Sequence, residues 1–431
     1  MRPASNPPTL PAGTGIPKLP AWDSTLAWRA DPYRFLGRQA ALLGSDVFEA
    51  RLLLQPTLCL TGAQAARLFY DDTLFQRQGA APHALVSTLF GQGGVQGLDH
   101  AQHRHRKALF MAITAPERLQ RLAELVRREW LASLHDWILS PPFSLYRALQ
   151  PVLARAVCQW AGVPLADDDL PKRTAQLVAL FDDAAAGPVA NLHARWARRQ
   201  AEAWLTPLIE AARSGHTRLP TDTAAHAIST HRDLEGHLLP ARVAAVELLN
   251  VLRPTVAVSV YMTLLAHALH THPVWKSRLA GSASGPDAMG FVQEVRRHYP
   301  FFPAVAARVR ADFDWQGLHF QAGRRVLLDL YGTDHDPRSW PGPDTFSPER
   351  WARPTAPSGA FAFVPHGGGD ANVQHRCPGE DLTARLMLVA LDMLLHVMRF
   401  DLPPQHLDLH MRRLPALPRS GFVIERVRRI A

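Results

Sequence analysis

Apolar side chains recur every three to four positions through most of this chain. One face of a helix turning every 3.6 residues gives that spacing, so the pattern predicts amphipathic helices at 99–112, 116–139, 145–161, 171–185, 191–214, 240–271, 287–298 and 379–399. Strand signals are shorter and weaker, at 47–54, 57–60, 307–309, 325–330 and 421–427. A mainly α protein with small β-sheets is expected. The stretch 243–270 is almost continuously apolar, but Glu247, Arg253 and Pro254 interrupt it, which marks a core helix rather than a membrane span. Between 334 and 376 the periodicity disappears and Pro and Gly accumulate. A loop of that length inside a compact domain is usually functional.

Composition narrows the class. Of 431 residues, 47% are hydrophobic and 20% charged, the balance of an ordinary globular chain. No repeat or Gly/Ser linker follows the Pro-rich first 20 residues, so a tail over 1–20 and a single domain over 21–431 are expected. The tail lacks the apolar core of a secretion signal. Cys59, Cys158 and Cys377 stand far apart, giving neither a zinc spacing nor a disulfide framework, and a cytoplasmic location is the expectation. The net charge of +9 comes almost wholly from arginine, since lysine occurs only at Lys18, Lys107, Lys172 and Lys276. These arginines are scattered along helices without a basic tract, so they read as solvated surface and nucleic acid is not an expected partner.

The long loop ends in HGGGDANVQHRCPGEDL, which puts Cys377 just ahead of an apolar-periodic helix. Pro378 suits the first helical position, and Glu380 and Asp381 suit the positive end of the helix dipole. Unpaired N–H groups there would stabilise an anionic sulfur. The glycines Gly367, Gly368 and Gly369 let the loop approach something flat or bulky. Four readings fit Cys377: an inert buried cysteine, a phosphatase-like nucleophile, a zinc ligand, or a haem thiolate. A nucleophile of the phosphatase kind wants Arg six residues on, whereas Arg385 is eight residues on; zinc would have only His366 and His375 nearby.

The run His375 to Glu380, H-R-C-P-G-E, resembles the haem-binding signature of the cytochrome P450 superfamily. It departs from that signature at Asp370 and Val373, where the family has Phe and Gly. Three further motifs carry the resemblance. Glu294 and Arg297 in E-V-R-R, at helical i,i+3 spacing, together with Arg350 in P-E-R-W, resemble the family's Glu-Arg-Arg structural cluster. His103 and Lys107 in HRHRK match the helix that reaches the haem propionates, and Arg77 in F-Q-R-Q is another propionate candidate. The resemblance implies a cytochrome P450 fold with haem b as cofactor, Cys377 as axial iron ligand, and His375, His103, Lys107 and Arg77 around the propionates.

On the apolar helix, an oxygen-activating member of the superfamily carries an acid-Thr pair; here E-L-L-N-V-L-R-P-T has Arg253 and Pro254 instead. Leu249, Asn250, Val256 and Ala257 are the helical neighbours of Arg253, so no local carboxylate pairs with it. Such a buried cation should meet water, a distant acid or a ligand anion. Pro254 removes one helical hydrogen bond and is expected to kink or open the helix. The set L-N-V-L-R-P-T, F-Q-R-Q, L-F-G-Q-G-G-V-Q-G-L-D and L-D-L-Y-G-T-D-H-D-P resembles the fatty-acid peroxygenase branch. This implies hydrogen peroxide as oxidant, long-chain fatty acids as substrates, no obligatory reductase, and oxidation at Cα or Cβ. The products would be 2- or 3-hydroxy acids, with decarboxylation to terminal alkenes as a second outcome. Arg253 would hold the substrate carboxylate, which then does the acid–base work beside Pro254 and Gln96; Gln96 favours hydroxylation, and Phe90 and Leu89 would contact the acyl chain. A reductase-dependent monooxygenase and a haem-binding sensor are the rival readings.

Overall fold

The computed structural model describes residues 15–281, 285–352 and 359–430. Eight helices build the body: α1 (His100–Ile113), α2 (Pro116–Leu139), α3 (Leu145–Ala161), α4 (Leu170–Asp182), α5 (Pro188–Arg213), α6 (Ala241–Thr271), α7 (Pro286–His298) and α8 (Glu380–Asp392). Their ends follow local chemistry. Pro116, Pro188 and Pro286 open α2, α5 and α7, where a missing N–H costs nothing. The Ser144 hydroxyl accepts from the Arg147 N–H at 3.4 Å to start α3, and Gly162 with φ 76° ends it.

α6 is the axis of the molecule. Of its 31 residues nearly all from Ala244 to Leu269 are buried, and α3, α4, α5, α7 and α8 pack around it. It is the one helix among the described residues long and apolar enough to cross a membrane, and protein covers it. The expectation of a core helix holds. Of the expected kink or opening at Pro254, the opening does not occur: α6 continues through the proline, with five helices packed around it.

The β content forms three small sheets. In the largest the strand order is Val47–Leu52, Gln55–Leu60, Arg325–Asp329, Ala304–Val309 and Phe75–Gln76, with one parallel pair between Gln55–Leu60 and Arg325–Asp329. Val423–Arg429 pairs with Phe143–Ser144 and Met398–Asp401, and Phe313–Trp315 with Leu318–Phe320. The last pair carries no strand signal in the sequence reading. The expected helix over 379–399 also needs correction: it stops at Asp392, passes through a wider turn over Met393–Val397 and becomes the strand Met398–Asp401. Pairing with the C-terminal strand overrides the helical spacing there.

Residues 1–14 of the expected tail lie outside the described residues. Farther along, the Leu19 N–H and the Pro17 carbonyl bond the backbone of Glu49, extending the large sheet at its edge. One core runs through all eight helices, two smaller ones flank the large sheet, and the molecule is a single domain of mainly α structure.

Candidate active site

Cys377 lies just before α8, and its own N–H donates to the His366 carbonyl at 2.8 Å. Burial pushes the thiol up, while the Gly379 N–H and the cations of Lys107 and Arg253 favour the thiolate. The glycines of the preceding loop pass against aromatic rings of the protein itself. A side chain at Gly367 would meet the Tyr70 hydroxyl at 2.8 Å, and one at Gly368 would meet the Phe361 ring at 3.0 Å. Asp370 and Val373 lie on the exposed part of that loop, where the Asp370 N–H donates to Gln374 Oε1 at 2.7 Å.

Four of the residues expected near propionates meet beside this thiol. Lys107 is buried and donates to the carbonyls of Gln374, at 3.0 Å, and Arg376. Burial brings its ammonium down to about 8. The rings of His103 and His375 stack at 3.7 Å between centroids. Burial holds His103 down to about 4 and His375 lower still, so both are neutral. Arg77 follows the edge strand Phe75–Gln76, lies 4.1 Å over the Phe69 ring and donates through Nη2 to the Phe69 carbonyl at 3.2 Å. Its buried Nη1 has no partner among the described residues. Asp99, at the N-terminus of α1, accepts from the Arg77 N–H at 2.9 Å and from the Gln78 N–H at 3.0 Å.

Arg253, on α6, is near enough for its charge to favour the Cys377 thiolate. It is buried, its one side-chain bond among the described residues runs from Nη2 to Asn250 Oδ1 at 3.4 Å, and Nε has no partner. Burial, reinforced by Arg198, pushes its guanidinium down to about 9. Gln96 Oε1 accepts from Asn250 Nδ2 at 3.3 Å. Leu89 is buried and Phe90 half-buried on the turn Val86–Phe90, which Arg198 holds through the Thr88 and Phe90 carbonyls, each at 3.4 Å. Gly91 has φ 83°, and a side chain there would strike the Arg198 guanidinium.

Beneath the loop, Glu294 is fully buried and grips Arg297 at both oxygens, 2.7 and 2.9 Å. Arg350 Nε reaches Glu294 Oε1 at 3.2 Å, and the Trp351 indole donates to Oε2 at 3.0 Å. Arg297 Nη1 in turn donates to the Asp334 and Pro343 carbonyls, each at 2.9 Å. Helix α7 is thereby tied to the long loop.

Sequence reasoning missed several neighbours. Arg296, also on α7, bonds Glu380 Oε1 at 2.5 Å and His366 Nδ1 at 3.0 Å, and Arg376 takes the other Glu380 oxygen at 2.5 Å. Burial opposes the Glu380 charge, but Arg296, Arg376 and His366 hold the carboxyl down to about 2. Arg106 and Glu247 form a buried pair at 2.7 Å. Only the adjacency of Arg296 and Arg297 in the sequence could have hinted at the first of these.

These residues fit a haem. A single thiol supported by a helix N-terminus suits one axial iron position. Half-buried Arg77, whose own Nη1 is buried and unpartnered among the described residues, suits a pair of carboxylates together with Lys107, His103 and His375. Arg253, on α6, suits a separate anion.

Comparison with known proteins agrees. Residues 289–424 match the Cytochrome P450 family model. Cytochrome P450 84A4 of Arabidopsis thaliana is 33% identical over 115 residues, 26% of this chain and 22% of that protein. Such curated relatives are thus matched over less than two fifths of their own length, for example 34% for cytochrome P450 4A11 of Homo sapiens. Solved structures match over nearly the whole chain. A variant of cytochrome P450SP alpha (CYP152B1) is 50% identical with a TM-score of 0.92, over 94% of this chain and 99% of that one. Cytochrome P450EX alpha (CYP152N1) with myristic acid is 40% identical with a TM-score of 0.93, over 97% and 100%. A variant of cytochrome P450 OleT in complex with arachidonic acid is 31% identical with a TM-score of 0.92, over 97% and 99%.

Proposed function

This chain belongs to the cytochrome P450 family, and from that premise we propose that it is a haem-thiolate peroxygenase oxidising long-chain fatty acids at Cα or Cβ with hydrogen peroxide. The observation that carries the reading is Arg253: a buried guanidinium with an unpartnered Nε and no side-chain bond among the described residues except to a neutral amide. A cation in that state is stabilised by an anion it can hold, and a planar carboxylate matches its donors. That two of the solved relatives hold myristic and arachidonic acid supports the class of ligand.

Bound haem supplies an iron whose reactivity towards peroxide is raised by electron donation from the Cys377 thiolate. Lys107, His103, His375 and Arg77 would hold its propionates. The chain's own contribution on the other face is placement. Arg253 fixes the substrate carboxylate, so the carbons next to it are the ones presented for oxidation. The pinned carboxylate also stands where the helix lacks an acid of its own, and its oxygen can take up and return the peroxide proton. Leu89 and Phe90 offer apolar surface to the first part of the acyl chain. Glu294, Arg297 and Arg350 act below, holding the loop that ends in Cys377. Hydrogen peroxide already carries the two electrons that a reductase would have to add to dioxygen, so no reductase is needed. The three free cysteines, two of them buried, fit a cytoplasmic location.

The test is product analysis. Holoenzyme mixed with hydrogen peroxide and myristic acid should yield 2- or 3-hydroxy acid, with alkene as a lesser product and no need of a nicotinamide. Arg253→Ala should keep its haem and lose at least about a hundredfold in rate, the scale of a lost positioning contact. Turnover that requires NAD(P)H and a reductase would support the monooxygenase instead.

A further inference from the structure

Glu247 lies six residues before Arg253 on α6 and has no exposed surface. It accepts two hydrogen bonds, from Arg106 Nη1 on α1 to Oε1 at 2.7 Å and from Asn250 Nδ2 to Oε2 at 3.0 Å, and the nearby Val95 N–H also favours its charge. The Asn250 amide has two ends, and this arrangement decides which way they point. Its nitrogen serves Glu247 and, at 3.3 Å, Gln96 Oε1; its oxygen is left to face Arg253 Nη2 at 3.4 Å. Flipping the amide would set donor against donor at Arg253 and acceptor against acceptor at both Glu247 and Gln96. There is little room for another arrangement, since a side chain at Gly94 would meet Asn250 Nδ2 at 2.9 Å and Gln96 Oε1 at 3.0 Å.

We propose that Glu247, anchored by Arg106, is a positioning residue for the fatty-acid carboxylate, acting through the Asn250 amide to orient Arg253 and Gln96 together. The inference rests on the fatty-acid reading and adds to it a device that the substrate never touches. Its logic is electrostatic economy: a carboxylate beside Arg253 would neutralise it, whereas a neutral amide orients it and leaves its charge for the ligand. Glu247, already matched to Arg106, sets the amide from a distance.

Binding of two ligands of equal chain length separates this from a merely structural role. Holoenzyme is titrated with myristic acid and with tetradecan-1-ol, following the Soret band, with haem content and the reduced CO spectrum recorded alongside. Glu247→Gln, which puts an amide donor among the donors, should weaken myristic acid on the order of tenfold, the scale of a hydrogen bond to a charged group, and leave the alcohol unchanged. Equal weakening of both ligands, or of neither, would overturn the proposal. Asn250→Leu removes the bridge while keeping the Arg106–Glu247 pair, and it should show the same selective loss; should Glu247→Gln fail to retain haem, this variant decides. Arg253→Ala tests the underlying reading separately: if it still prefers the acid over the alcohol, that reading fails, whereas loss of preference there with a parent-like Glu247→Gln sinks only the role of Glu247.

Discussion

At the scale of single residues, charge in this pocket is organised by what is left unpaired. Most buried cations have partners: Arg106 has Glu247, Arg198 has Glu202 at 2.8 Å, and Arg296 has Glu380. Arg253 has only an amide. Burying an ion without a counterion costs several kcal/mol; Lys107 and Arg325 offset it with several close oxygens from carbonyls or a hydroxyl, whereas Arg253 has a single long bond, which leaves its donors to a ligand. Gln96 stands beside it with an amide that neither accepts nor releases a proton at ordinary pH. Gln96→His replaces that amide with a group that titrates near neutrality, and the product mixture should then move from hydroxy acid towards terminal alkene. The ratio of the two products by mass spectrometry checks this; an unaltered ratio would remove Gln96 from the choice of outcome.

At the scale of elements, the link between α7 and the loop before α8 carries the thiol. Glu294 balances two guanidiniums, Arg297 and Arg350, and the Ser347 N–H adds a bond at 2.9 Å. Burial works against its charge, yet Arg297 and the other donors hold the carboxyl low, so it is ionised at neutral pH. Glu294→Gln should therefore destabilise by about 3–5 kcal/mol, the cost of leaving a buried charge uncompensated. Chemical unfolding and haem retention measure it; a stable variant with full haem would show that the backbone carbonyls around Arg297 suffice. Elements with strong end signals were legible in the sequence: α2 and α3, opened by Pro116 and by the Ser144 cap, have the expected bounds. The run Met393–Val397 was not, because its apolar spacing fits a helix and only the partner strand decides otherwise. In the site, Cys377 and Arg253 stood out because each breaks the character of its own surroundings. The hydrogen bond between Asn250 and Gln96 joins residues 154 positions apart, and no local pattern announces such a contact.

At the scale of the whole molecule, stability should be asymmetric in pH. His366 is half-buried near the thiol, and desolvation, with Arg296 beside it, brings its imidazole from 6.5 down to about 3. A histidine lowered in this way is neutral in the fold and charged in the unfolded chain below pH 6.5, so acid favours unfolding. Its contribution is full above the unfolded value and is lost progressively as pH falls towards the folded one. Buried His103, lowered from 6.5 to about 4, acts with the same sign. Glu380, whose carboxyl lies at about 2 against 4.5, adds stability above 4.5 that disappears as pH falls towards 2. The two histidine losses begin together below pH 6.5 and the Glu380 loss follows below 4.5, and two of the groups, His366 and Glu380, meet at Arg296 beneath the loop that ends in Cys377. Melting temperature should fall continuously from about pH 6.5 to pH 4, with the Soret band lost in the same range, as the linkage of desolvated imidazoles requires. His366→Asn, which offers Arg296 an amide oxygen in place of the ring nitrogen, should make the upper part of that fall shallower. If the variant and the parent share one pH profile, the His366 imidazole is not what ties the fold to neutrality.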